Sequence, residues 1–360
     1  MHFVLLLLTL LVEKLSCKTL ADVRSVNIPP VLRRYLRVSE MGVILWCTAV
    51  PVVMYIIRKY RNYTWGHCKD GRSLQNKVFI VTGASSGLGK ETVKELAQRK
   101  ARIIMACRDV LKAEDVISEI RSEIKTGELI PMELDLASIE SVEKFAAEII
   151  KDFPRIDVLI NNAGVSVPPS RKKKTLDGFE INFGTNHLGH FCLTNLLLDR
   201  LVASAPSRIV IVTSSLHEGG VIDFDNLQGE KGFPAGRRNP AYNNSKLANV
   251  YFCRELAERL PSNVQTFAVC PGFCYTDLFR HSTLKWYHYV MFSPIAFFFM
   301  RSASKGCQTI LHCAISEELN GLTGQVFRDC RLYKPNIMYD DKVQKKLWNV
   351  SEQLVSSTKH

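Results

Sequence analysis

Three glycines crowd into one turn, Thr82-Gly83-Ala84-Ser85-Ser86-Gly87-Leu88-Gly89, directly after the β-favouring run Val78 to Val81 and directly before the charged periodic stretch Lys90 to Arg99. Glycine tolerates positive φ and has no Cβ, so the backbone of such a turn can pass close to a ligand. The amides that open a following helix favour an anion, and a pyrophosphate suits them. A glycine turn alone is weak evidence. A strand before it and a helix after it make it a phosphate cradle, with Gly83, Ser85, Ser86, Gly87, Leu88 and Gly89 as the candidate contacts. The spacing, three residues between the first two glycines and then one, differs from the commoner one-then-two pattern.

Beyond the turn, β-rich apolar runs alternate with charged periodic segments. Strands are expected at Val78–Thr82, Arg102–Ala106, Leu129–Leu134, Val158–Ile160, Ile209–Thr213 and Val264–Val269. Helices are expected at Lys90–Arg99, Leu111–Lys125, Ser138–Asp152, Asn186–Val202 and Ala241–Leu260. This order predicts an α/β fold, a doubly wound (Rossmann) parallel sheet with helices on both faces, whose ligand lies outside the carboxyl ends of the strands. With 46% hydrophobic and 23% charged residues, disorder and a polytopic membrane protein are both excluded.

Lys and Arg exceed Asp and Glu by 47 to 35. The excess is dispersed over Arg33-Arg34, Arg58-Lys59, Arg171 to Lys174 and Arg237-Arg238, and no single helix carries it with interleaved aromatics. That speaks against nucleic acid and leaves an anionic membrane surface or a phosphorylated cofactor. The eleven cysteines include no Cys-x-x-Cys pair and no His spacing for zinc, so no metal is expected. Cys107, Cys192, Cys253 and Cys270 lie in apolar runs, as buried free thiols do in a reducing compartment.

Arg108 follows the second expected strand, nineteen residues past Gly89, where such folds read the adenosine ribose. An acid there would favour NAD; an arginine can pair with a 2′-phosphate, so NADP(H) is the expected cofactor despite the neighbouring Asp109. Tyr242-Asn243-Asn244-Ser245-Lys246 sets a phenol and an ammonium four residues apart, on one helical face. A tyrosine is a poor base at neutral pH, and a flanking cation that stabilises the phenolate answers that need. Ser215 follows the strand Ile209–Thr213, where its hydroxyl can hold a substrate oxygen while Tyr242 exchanges the proton. His187, His190 and His217 are read as hydrogen-bonding supports before catalytic or metal roles.

The chain resembles the short-chain dehydrogenase/reductase family. The resemblance rests on the ordered motifs Thr82 to Gly89, Asn161-Asn162-Ala163-Gly164, Ser215, and Tyr242 to Lys246, over about residues 75 to 335. It implies hydride transfer, with Asn186 completing a catalytic tetrad through a water relay to Lys246. It also implies that Asp135-Leu136 borders the adenine, that Asn162, Ala163 and Gly164 lie along the cofactor, and that Pro271-Gly272 with Thr276 flanks the nicotinamide. Lys174 to Glu180, Asn186 to Phe191, Cys107-Arg108-Asp109 and Ser245 to Asn249 look like the retinol dehydrogenase branch. That branch implies an apolar substrate, retinal or retinol, with steroid or lipid-aldehyde reduction as the alternative and a silent nucleotide-binding scaffold as the rival from another class.

The N-terminal 71 residues stand apart from the expected domain 72–335 and a tail 336–360. Residues 3 to 12 have the length of a signal-peptide core without a preceding basic residue. Met41 to Ile57, uncharged throughout, is the better membrane anchor. The basic residues Arg58, Lys59, Arg61, Lys69 and Arg72 after it lean toward a cytosolic catalytic domain, with the endoplasmic reticulum as the expected membrane and a mitochondrial one as the alternative. Asn62-Tyr63-Thr64, Asn243-Asn244-Ser245 and Asn349-Val350-Ser351 match the glycosylation pattern, and chance matches are common. Trp286 to Met300 is expected to wall a lipid-facing pocket or dip into the membrane, and Lys172 to Lys174 to form a solvated loop. Oligomeric state stays open, a homodimer among the options.

Overall fold

The computed structural model describes residues 48–234, 239–274, 298 and 300–358. The chain divides into two units at the Asn62–Tyr63 junction. The first is described from residue 48 onward as a helix, in which Val52, Val53, Tyr55, Ile56 and Ile57 are exposed. The first seven residues of the expected span 41–57 lie outside the described residues. No described helix is long and apolar enough to cross a membrane.

The second unit is built on one sheet. Its strands are β1 (Val78–Thr82), β2 (Arg102–Cys107), β3 (Glu128–Glu133), β4 (Val158–Asn161), β5 (Ser207–Val212), β6 (Val264–Cys270), β7 (Gln325–Arg328) and β8 (Arg331–Leu332), in the spatial order β3-β2-β1-β4-β5-β6-β7-β8. All pair in parallel except β7 with β8. Alternate residues of β1 enter opposite cores: Ile80 packs with Ile104, Leu159 and Ile209 on one face, while Phe79 and Val81 pack with Ile103, Ile160 and Phe267 on the other. Burial on both faces is why these strands read as continuous β-branched runs.

Helices α1 (Gly87–Gln98), α2 (Val110–Glu123) and α3 (Ile139–Asp152) cross between the first four strands. In α3, Val142, Phe145, Ala146 and Ile149 recur at helical spacing and fill the first core, and the Ser138 hydroxyl caps the start by accepting the Ser141 amide. Burying a side chain such as Phe145 stabilises the fold by about 1.5–3 kcal/mol. Helix α4 (Gly189–Ala203) is preceded by Ile181–Phe183 and a π-helical turn, Gly184–Leu188, so helical structure begins before the expected Asn186. Helix α5 (Pro240–Arg259) carries Tyr242 and Lys246.

Two further helices went unread in the sequence. Helix α6 (Ala303–Ile315) is buried nearly all round from Gly306 onward and lies in the second core through Cys307, Ile310 and Leu311. Helix α7 (Asp341–Ser356) occupies the segment expected as a tail, with Leu347, Trp348 and Val355 in the first core. Its polar composition hides a narrow apolar stripe that only the partner surface makes significant. Two glycosylation matches fall inside helices with their serines buried: Ser245 accepts the Asn186 side-chain amide, and Ser351 meets His187. Their hydroxyls already serve the fold.

Candidate active site

Strand order reverses at β1, whose neighbours are β2 and β4, and the glycine turn leaves β1 at that point. Gly83 has φ +66°, and a Cβ there would stand 2.9 Å from the Ala163 Cα. At Gly89 a Cβ would stand 2.2 Å from the Gly83 carbonyl oxygen and 2.8 Å from Asn162 Nδ2. The turn therefore folds back on itself only without side chains. Ser86 begins α1 in extended conformation and makes no side-chain cap, so its own side chain does not occupy the first amides of that helix. A cradle of bare backbone at a helix start and a switch point fits a dinucleotide pyrophosphate.

Thr82 and His190 hold the cradle to its neighbours. His190 Nδ1 lies 3.0 Å from the Asn186 carbonyl oxygen, which can only accept, so Nδ1 carries the proton. Nε2, 2.9 Å from the Thr82 hydroxyl, then accepts from it, and the Thr82 oxygen in turn accepts the amides of Asn162 and Ala163 at 2.9 Å each. Asn162 returns a bond from Nδ2 to the Thr82 carbonyl at 2.8 Å. This chain ties β1, the loop after β4 and the π turn together. Thr82 gave no sign of that role in the sequence.

Burial holds the imidazoles of His187 and His190 neutral, pushed down to about 3 and about 4 from 6.5. Between pH 6.5 and about 4 the unfolded chain takes up protons that the folded chain refuses, so stability rises with pH through that window and is lost on acidification. We expect a loss on the order of several kcal/mol, with proton uptake on unfolding. Urea midpoints followed from neutral pH down to about 5 check this, and a flat profile would show that both rings titrate normally in the fold.

Tyr242 and Lys246 lie on the first turns of α5, buried at 5% and 3% exposure. Lys246 Nζ stands 5.7 Å from the Tyr242 ring centre and donates to the Val212 carbonyl at 3.0 Å. Burial lowers its ammonium to about 8. Burial also dominates at Tyr242 and pushes the phenol well above its ordinary 10, against the pull of a hydrogen bond from Ser214. In this arrangement Tyr242 holds its proton at neutral pH, the form that donates.

The expected Ser215 opens a 3-10 turn, Ser215–Gly219, at the carboxyl end of β5. Its neighbour Ser214 caps that turn, its hydroxyl accepting the Leu216 amide at 3.3 Å. The Ser-Ser doublet brings two hydroxyls to the carboxyl end of β5. Asn186 sits in the π turn, a distortion common at functional sites. Its side chain accepts the Val165 amide at 2.8 Å and donates to the Val165 carbonyl and the Ser245 hydroxyl. A Cβ on Gly164 would stand 3.3 Å from Asn186 Oδ1 and 3.4 Å from Lys246 Nζ, so loop, π turn and α5 converge on one point.

Arg108 is exposed at the end of β2. Asp109 caps α2, its carboxylate accepting the Lys112 amide at 3.0 Å. Asp135 accepts the Ala137 amide at 3.0 Å, and buried Leu136 packs where a Cβ on Gly189 would stand 2.4 Å from its carbonyl. Pro271 and Gly272 follow β6, with the Arg301 guanidinium directly beneath Gly272. Thr276 lies outside the described residues, as does most of Trp286 to Met300. Leu216 and Phe273, at the carboxyl ends of β5 and β6, are about half exposed. Among the described residues no group of three or more His, Cys, Asp or Glu is placed to hold a metal, and no disulfide joins the described cysteines.

The family model described as short chain dehydrogenase matches residues 77–285. The chain is 46% identical to retinol dehydrogenase 12 of Homo sapiens over 301 residues, 83% of this chain and 92% of that protein. It is 40% identical to retinol dehydrogenase 14 of Homo sapiens over 337 residues, 89% of this chain and 97% of that protein. Among solved structures, an uncharacterized protein from Mycobacterium Paratuberculosis superposes with TM-score 0.61 at 33% identity, covering 81% of this chain and 98% of its own. The Pseudomonas aeruginosa RhlG/NADP active-site complex has TM-score 0.54 at 22% identity, covering 71% and 95%, a likeness of fold alone.

Proposed function

The chain belongs to the short chain dehydrogenase family and is an oxidoreductase, and from that premise we propose that it interconverts retinal and retinol, or a similarly apolar carbonyl and alcohol, with NADP(H) at a membrane. The observation that carries the reading is the buried Tyr242, with the Lys246 ammonium over its ring and the Ser214-Ser215 turn beginning at the end of β5. A protonated phenol in that setting is a general acid for carbonyl reduction. Bound NADP(H) supplies the hydride for reduction and takes it up in alcohol oxidation.

The chain's own residues then divide the remaining tasks. Tyr242 passes its proton to the substrate oxygen, and the Ser214-Ser215 hydroxyls orient that oxygen. Lys246 offsets the negative charge that grows on the phenol as the proton leaves, and Asn186 serves the water relay to its ammonium. Gly83, Ser85, Ser86, Gly87, Leu88 and Gly89 hold the pyrophosphate, with Asn162, Ala163, Gly164, Pro271, Gly272 and Thr276 along the rest of the cofactor. Asp135-Leu136 borders the adenine. Arg108, exposed at the end of β2, pairs with a 2′-phosphate, and Asp109 beside it turns Oδ1 to the amide of Lys112.

Half-exposed Leu216 and Phe273 at the strand ends support an apolar substrate. The uncharged stretch 41–57 and the basic residues after it support a membrane tether with the catalytic unit on the cytosolic side, in the endoplasmic reticulum. The test is oxidation of NADPH by membranes carrying the protein with all-trans-retinal, beside NADH and beside Arg108→Ala. Losing a charge-assisted bond worth about 1.5–3 kcal/mol should raise the KM for NADPH about 10–100-fold and leave the NADH rate nearly unchanged. Equal loss with both cofactors would remove Arg108 from 2′-phosphate recognition. No turnover with retinal but turnover with another apolar aldehyde would move the substrate within the same class.

A further inference from the structure

The C-terminal segment between β8 and α7 reaches back to the turn that carries Ser214 and Ser215. His217 in that turn is fully buried. Its Nδ1 lies 2.6 Å from the Ser214 carbonyl oxygen, so Nδ1 is the protonated nitrogen and donates. Nε2 is then the acceptor, and the Tyr339 hydroxyl donates to it at 2.9 Å. The two rings also lie nearly parallel, 21° apart, with centres 6.2 Å apart. Next to this contact the Tyr333 hydroxyl hydrogen-bonds to Glu218 of the same turn.

Tyr339 is fixed from its other side by α5, the helix of Tyr242 and Lys246. The Arg254 guanidinium stands 5.0 Å over the Tyr339 ring. Tyr251 meets that ring edge-on at 5.8 Å, and its hydroxyl accepts the Asp340 amide at 3.4 Å. The path runs from Tyr242 along α5 to Tyr251 and Arg254, across to Tyr339, to His217 and to the Ser214 carbonyl, and the far end of the turn packs back on α5 at Asn243 and Leu247. A turn of five residues with few backbone bonds of its own has no internal reason to keep one position at the end of β5. The circuit supplies one.

We propose that Tyr339 and His217 are positioning residues, a latch through which the C-terminal segment holds the serine turn against Tyr242. The inference rests on the reading of Tyr242 as the acid/base. Tyr339→Phe removes one hydroxyl and keeps the ring, its contact with Arg254 and its packing on Tyr251. The expected result is a kcat about tenfold lower, with the KM for NADPH unchanged, because the reacting hydroxyls drift while the cradle does not. Amide exchange of a peptide covering residues 214–219, measured without substrate, should accelerate.

His217→Asn keeps a donor near the Ser214 carbonyl and loses the acceptor for Tyr339. Adding Tyr339→Phe to it should cost nothing further, since one bond cannot be lost twice. Additive losses, unchanged kcat in Tyr339→Phe, or faster exchange without any loss of kcat would each overturn the latch. An inactive wild-type protein on every apolar aldehyde would overturn the enzyme reading and the catalytic half of the latch with it, while exchange would still report the bond itself. Equal falls in kcat and in NADPH affinity would mean general loosening, and that too would overturn it.

Discussion

Tyr242→Phe lowers kcat by about 10²–10⁴-fold, the range that general acid–base groups contribute, while NADPH binding persists. The argument is local. The ring is 95% removed from solvent, so phenylalanine keeps the packing and removes only the oxygen. What disappears is a phenol whose proton burial holds in place. Single-turnover measurement with NADPH, beside cofactor fluorescence, separates the two effects. Residual turnover within a few-fold of wild type would remove Tyr242 from the proton transfer. Loss of NADPH binding along with turnover would make it a cradle residue instead.

Gly89→Ala should act on the other half of the site. Its new methyl would meet the Gly83 carbonyl at 2.2 Å and Asn162 Nδ2 at 2.8 Å. The first of these is backbone in a turn whose own φ is already positive, and it has nowhere to yield. Overpacking of this kind costs about 1–3 kcal/mol of stability. The larger consequence is for binding: opening the turn moves α1 off the end of β1, and NADPH affinity should fall at least about tenfold for each 1.4 kcal/mol of that displacement. Cofactor titration and a urea midpoint on the same preparation check both parts. Unchanged NADPH affinity would show that the anion is held elsewhere.

Much of this arrangement was legible in the residues. Val78 to Gly89 announces strand, turn and helix in order because β-branched runs, glycines and charged periodicity each have a local physical cause. The four-residue interval from Tyr242 to Lys246 places both on one helical face whatever surrounds them. The alternating runs likewise forecast a parallel sheet, since a strand buried on both faces must be apolar throughout. Helix α7 was less legible, because the few apolar residues that bury it, Leu347, Trp348 and Val355, are significant only against the core they meet.

What the amino-acid order determined by itself is therefore the fold and the candidates for the site: the bare turn, the phenol, the ammonium, Ser215 and Arg108. These follow from spacing and propensity, which act over a few residues. The tertiary structure decided which nitrogen of His190 and of His217 carries the proton, and that Lys246 directs its ammonium to the Val212 carbonyl. It also brought Tyr339 to His217 across 122 residues. Such choices depend on distances between segments that no local rule relates, and on burial, which sets protonation only after those segments have packed.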